Sequence, residues 1–187
     1  AALFANIIAS YGSVLIVAVL VNKFSLNAIG FRKTGWLWVR RAIFWGLGLM
    51  VIRAFLAQGL LYLFPFLNFG TEMLQQSLVT NNLTLSSQII VIVLGALVIP
   101  VGEELFFRGF LYRWIRNRLS FSMAVLMSAL VFGAFHLIPI QAIMAFPLGL
   151  LNAWMFERSR SLWPPIVLHI TNNLFTLVIA FAVLTNQ

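Results

Sequence analysis

The sequence contains no cysteine. Disulfides, thiolate catalysis and cysteine-based metal sites are therefore excluded. It is almost as poor in charge: charged residues make up 9% of 187, and only 4 are acidic. A typical soluble domain carries about 25% charged residues. In their place, 62% of the residues are hydrophobic, and the mean hydropathy is +1.01. A small soluble fold has too much surface for its volume to bury that many apolar side chains. Disorder is excluded as well, because it needs low hydrophobicity and high charge. What remains is an all-α, polytopic transmembrane helical bundle. At roughly 20 apolar residues per span, the chain has room for about six.

Six apolar stretches can be read, at about residues 3–21, 42–66, 88–114, 121–137, 140–156 and 164–184. Residues 22–41 form a basic linker and 68–87 a polar loop. The other connections are short, as between antiparallel neighbours. With no internal repeat or low-complexity segment, residues 1–187 read as one membrane domain. The chain starts at Ala1 rather than Met, as a processed or partial N-terminus would. No basic region precedes the first apolar run, so no cleavable signal peptide is expected. Gly46, Gly48, Gly95 and Gly149 are expected to allow close helix contact. Trp36, Trp38 and Trp163 lie where interfacial anchors belong.

The 12 basic residues give a net charge of +8. Ten of them fall in three connections. Lys23, Arg32, Lys33, Arg40 and Arg41 lie in the first linker. Arg113, Arg116 and Arg118 lie between the third and fourth stretches, and Arg158 and Arg160 between the fifth and sixth. With six spans, all three connections lie on one side of the membrane. That asymmetry orients the basic loops to the cytoplasmic, or stromal, side. The charge thus points to the lipid bilayer as partner, with anionic lipid in reach, and not to nucleic acid.

The charges left within the spans carry the chemistry. They are Arg53, Arg108, Glu103 and Glu104, and both histidines, His136 and His169, join them. Intramembrane charges are costly and face partners in the bundle interior. Glu104 and Arg108 are four residues apart and share a helix face, so they can pair. Glu103 is turned about 100° away, which leaves it available as a general base on water. Phe132 lies one turn before His136, and Asn173 one turn after His169. A base, two imidazoles and an amide donor suit water attack on a carbonyl, with a histidine and Asn173 stabilising the oxyanion. Ser128 is a nucleophile only in principle. Glu103, His136 and His169 would also make a zinc set, although no H-E-x-x-H motif is present. A proton or solute relay through the same Glu and His residues is a further reading. It lacks the paired broken helices of transporters.

Taken together, these residues resemble the CPBP intramembrane protease family, which includes type II CAAX prenyl endopeptidases and the Abi and lysostaphin-resistance-like proteins. Glu103, Glu104 and Arg108 match its E-E-x-x-x-R motif, Phe132 and His136 its F-x-x-x-H motif, and His169 and Asn173 its H-x-x-x-N motif. The similar region covers about residues 90–180. The resemblance implies a helical membrane core with the site in a cavity. It implies that Glu103 activates water with His136, that His169 and Asn173 form the oxyanion site, and that Glu104 and Arg108 support Glu103. It leaves two accounts of the cofactor open. The favoured one needs no metal, and the other uses a divalent ion such as zinc. The implied substrate is a membrane-associated protein or peptide, prenylated or not. Some relatives act instead as non-proteolytic scaffolds or assembly factors that bind a stable membrane-protein partner, and that is the alternative function.

Overall fold

The computed structural model describes residues 26–67 and 84–184. The first apolar stretch, Lys23 and most of the 68–87 connection lie outside the described residues. The described residues are helical, with no strand among them. A short turn of helix, α1 (Leu26–Ile29), leads into α2 (Trp36–Leu63). After a 3₁₀ turn at Pro65–Leu67 comes the long α3 (Leu85–Arg116), then α4 (Phe121–Ala134), α5 (Pro139–Ser159) and α6 (Trp163–Leu184).

Among the described residues, four helices are long and apolar enough to cross a membrane: α2, α3, α5 and α6. The chain is an integral membrane protein with an all-α, polytopic bundle. The outward faces bear this out. In the most apolar stretch of α2 only 11% of the residues are buried within the protein, and side chains such as Phe44, Phe55 and Tyr62 are exposed. Water would not tolerate so large an apolar face, whereas lipid tails do.

The 121–137 stretch is shorter than the sequence suggests. Helix α4 has 14 residues, or about 21 Å against a hydrocarbon core of about 30 Å. Its end follows from Pro139. A residue before proline is pushed out of the helical region, and Ile138 is extended at φ −85°, ψ 121°. Leu137 before it is left-handed at φ 54°. The chain therefore leaves the helix at Phe135, and α5 starts afresh with proline in its first turn. At the other end of the chain's first linker the difference runs the opposite way. Helix α2 begins at Trp36, so Arg40 and Arg41 are helical and exposed, their stems free to snorkel from the helix end.

Two contacts set the packing around the site. Helix α2 lies against α6 at Gly46, where an added Cβ would sit 2.9 Å from the Leu168 carbonyl. Helices α4 and α5 form an antiparallel hairpin that closes at Gly149, where a Cβ would sit 3.0 Å from the Ala129 Cα. Gly48, by contrast, meets nothing within 4 Å. Between these helices Phe107, Phe132, Leu148, Met155 and Leu168 form a buried apolar core drawn from α3, α4, α5 and α6.

The basic connections meet at one end of the bundle. Leu162 N–H donates to the Gly30 carbonyl at 2.8 Å, and Ser161 Oγ donates to the Arg32 carbonyl at 2.7 Å. The first linker is thereby stitched to the α5–α6 turn. Arg158 stands over the Phe121 ring at 5.6 Å, which adds the start of α4 to the same end.

Candidate active site

Helix α3 is not a uniform α-helix. Two π-helical segments, Val93–Val98 and Leu105–Leu111, flank the short α-helical piece Ile99–Glu104 that carries both glutamates. Such widened turns are rare and gather at functional sites. In the first, Ile99 N–H bonds to the Leu94 carbonyl and not to Gly95. The next residue, Pro100, has no N–H to offer. The Gly95 carbonyl thus loses both of its helical donors, and Asn173 Nδ2 of α6 donates to it at 3.2 Å. Asn172 Nδ2 in turn donates to Asn173 Oδ1 at 3.0 Å. Asn173 is tied to α3 eight residues before Glu103, or about 12 Å along the helix.

Glu104 is the hub of the cluster. Its Oε1 accepts from Arg108 Nη1 at 2.9 Å, from Asn152 Nδ2 at 2.8 Å and from His169 Nδ1 at 2.8 Å. Glu104, Arg108 and Asn152 are fully buried, and His169 nearly so. Arg108 also donates through Nη2 to the Gly149 carbonyl at 2.9 Å. A buried carboxylate is costly unless it is paired and hydrogen-bonded, and here three helices supply donors to a single oxygen. The i,i+4 pairing expected of Glu104 and Arg108 is present. Glu104 also bonds directly to His169, a contact that the sequence did not announce.

Glu103 points elsewhere. Its side chain is 24% exposed, and Oε2 lies 3.6 Å from His169 Nε2. That distance is just beyond a direct hydrogen bond, so both groups can address the same small molecule from one side. His136 sits in the turn after α4, half-buried, and interacts electrostatically with Glu103. Its Nδ1 is 2.9 Å from the Phe132 carbonyl. The Phe132 ring packs edge-on to both imidazoles, 5.0 Å from His136 and 5.7 Å from His169, and under the Arg108 guanidinium at 4.7 Å.

Acceptor chemistry fixes the tautomers. A carbonyl and an ionised carboxylate can only accept, so each histidine donates from Nδ1 and presents Nε2. The donor types would suit zinc, since ligating histidines hold their other N–H on such acceptors. The positions do not. Among the described residues no three His, Asp or Glu side chains gather closely enough to hold a metal ion. Ser128 is fully buried on α4, and its Oγ has no hydrogen-bond partner. It therefore lacks the adjacent base that activates a nucleophilic serine.

Asn152 is the member that sequence reasoning missed. It lies on α5, 48 residues from Glu104, outside any motif. Its signal was an amide in the middle of a mostly apolar span, a costly placement that usually has a partner.

Comparison with known proteins places this geometry. Residues 85–175 match the family described as Type II CAAX prenyl endopeptidase Rce1-like, a stretch that takes in every motif residue from Glu103 to Asn173. A protein of Bacillus subtilis (strain 168) named "Putative membrane peptidase YdiL" is 26% identical over 89 residues. That alignment takes in 48% of this chain and 36% of YdiL, so the chain matches about a third of its relative's length. No solved structure matches. The core of the chain is similar to the CAAX-protease-like membrane peptidases, as its three motifs indicate.

Proposed function

We propose that this protein is an intramembrane endopeptidase that hydrolyses a peptide bond of a membrane-associated substrate by glutamate- and histidine-activated water. The observation that carries the reading is the Glu103 carboxylate, partly exposed and 3.6 Å from the Nε2 of an imidazole whose other nitrogen is anchored to Glu104.

In the proposed reaction Glu103 removes a proton from water, and the water oxygen attacks the scissile carbonyl carbon. His136 presents a lone pair on Nε2 and orients that water. The carbonyl oxygen becomes an oxyanion. His169, as an imidazolium, would donate from Nε2 to the oxyanion. Asn173, one turn after His169, is held by the Gly95 carbonyl through one Nδ2 hydrogen and would have to leave that bond or turn toward His169 to assist. The C–N bond then breaks, and Glu103 returns the proton to the leaving amine. Glu104, Arg108 and Asn152 touch no reacting atom and hold His169 in place. No step needs a metal ion. The basic end of the bundle faces the cytoplasm, following the positive-inside pattern. A prenylated peptide is the substrate class suggested by the family match, and a bundle in lipid admits it from the bilayer.

The test uses the full chain reconstituted in liposomes with a peptide bearing a lipid-modified cysteine near its C-terminus, and the same peptide unmodified. Glu103→Gln keeps the shape and removes the base. General-base loss is expected to lower the cleavage rate by about 10²–10⁴-fold. Unchanged cleavage by this variant would overturn the assignment. Equal rates on both peptides would overturn the prenyl preference alone.

A further inference from the structure

We propose a second binding site, for a phosphate-bearing anion, in the pocket that four arginines form at the basic end of the bundle. It rests on no part of the peptidase chemistry. A cavity of about 350 Å³ opens there, lined by Arg32, Arg113, Arg116 and Arg160 together with Tyr112 and Glu157.

The arginines come from three separate segments. Arg32 belongs to the linker before α2, Arg113 and Arg116 to the last turns of α3, and Arg160 to the α5–α6 turn. The backbone stitching of Gly30 and Arg32 to Ser161 and Leu162 brings them together. Gathering four cations in one pocket is unfavourable unless negative charge answers them. The pocket supplies one such charge. Glu157 accepts from Tyr112 Oη at 3.0 Å and from Arg116 Nε at 3.2 Å, and lies 3.5 Å from Arg160 Nη2. One carboxylate against four guanidinium groups leaves the pocket strongly positive.

The backbone points the same way. Arg160 caps α5 in the left-handed conformation at φ 55°, a position where glycine is the favoured residue. The fold keeps an arginine there despite the strain. Its side chain is 72% exposed and lines the cavity. Planar guanidinium forks match the oxygens of a phosphate two at a time. The depth is that of a lipid headgroup. Trp114 and Trp163, on the same two segments as Arg113 and Arg160, are half-exposed, and tryptophan belts mark the membrane–water interface. Basic pockets between spans at that level hold anionic headgroups.

The experiment titrates delipidated full-length protein in neutral detergent with phosphatidylglycerol, with phosphatidylcholine and with inorganic phosphate, and counts bound ligand by native mass spectrometry. Phosphatidylglycerol is expected to bind more tightly than the zwitterionic lipid. Replacing Arg32→Gln and Arg160→Gln is expected to weaken it about fivefold for each arginine removed. The pair Arg40→Gln and Arg41→Gln removes the same charge from the same end of the bundle outside the pocket and should leave binding nearly unchanged. Displacement of the lipid by millimolar inorganic phosphate would support the site with free phosphate as its source. Lipid binding that phosphate does not displace would support the headgroup. Equal binding by the Arg32→Gln/Arg160→Gln variant and the parent overturns the proposal, and so does an equal loss in the Arg40→Gln/Arg41→Gln control. Both target side chains are surface groups, and a thermal melt of each variant confirms that the fold is intact.

Discussion

A single carboxylate oxygen, Glu104 Oε1, collects donors from a guanidinium, an amide and an imidazole. Each does a different job, and the differences can be measured. Asn152→Ala removes one hydrogen bond to a charged, buried acceptor, worth about 1.5–3 kcal/mol. The expected result is a lower unfolding midpoint together with a fall in kcat at nearly constant KM, because Glu104, the partner of His169, loses one of the donors that fix it while substrate contacts stay. A change in KM alone would contradict a positioning role. Arg108→Lys tests geometry at constant charge. Arg108 spans two acceptors, Glu104 Oε1 through Nη1 and the Gly149 carbonyl through Nη2, and a lysine ammonium lacks that planar fork. The folded protein is expected to persist with cleavage reduced at least about tenfold, the equivalent of roughly 1.4 kcal/mol in the barrier. Parent-like cleavage would show that charge alone suffices. Much of this cluster was legible beforehand. Helical spacing alone paired Glu104 with Arg108, and cost alone marked Glu103, His136 and His169. The bond between Glu104 and His169 was not legible, because no spacing rule relates residues on α3 and α6. Asn152 was hidden for the same reason.

The elements hold these residues by breaking regularity. Helix α3 presents Glu103 and Glu104 at the end of the short α-helical piece Ile99–Glu104, between its two π segments. A uniform hydropathy of that stretch hides them, since a π turn changes hydrogen bonding without changing composition. Helix α4 stops early, so His136 lies in the turn after it, against the Phe132 ring. Pro139 announced that stop, but the apolar run 121–137 masks it when only hydropathy is read. The α4–α5 hairpin then depends on close approach at Gly149, where an added Cβ would sit 3.1 Å from Ala129 Cβ and 3.2 Å from Phe132 Cδ1. Its carbonyl meanwhile accepts from Arg108. Gly149→Val is expected to wedge the hairpin open at a cost of about 1–3 kcal/mol. Phe132 moves first, and both imidazoles pack on it, so cleavage should fall more than stability does. A thermal melt and a cleavage assay on the same sample compare the two. Full activity in a destabilised protein would show that the Phe132 contact does not position the histidines.

For the whole molecule the scarcity of charge is what makes orientation readable. The basic connections were expected on one side, and the structure brings the described ones together: Arg32 beside Ser161, Arg116 on Glu157, Arg158 over Phe121. The far end of α2, with the exposed Phe66 just beyond it, carries no basic residue among its described neighbours. Helix α2 runs 28 residues between these ends, or about 42 Å, enough to cross a core of about 30 Å with its ends in the headgroups. Which end faces the cytoplasm can be settled cleanly, because a chain without cysteine makes each introduced thiol the sole target. Asn117→Cys places one at the basic end, in the exposed turn after α3, and Phe66→Cys places one at the opposite end. In right-side-out bacterial vesicles a membrane-impermeant maleimide is expected to label Phe66→Cys directly. Asn117→Cys should label only after permeabilisation. The reverse pattern would invert the assignment and place the arginine pocket outside. Removing Arg113, Arg116 and Arg118 should then leave labelling unchanged. If the positive-inside bias sets the orientation, the same removal should produce a mixed population in which both thiols react.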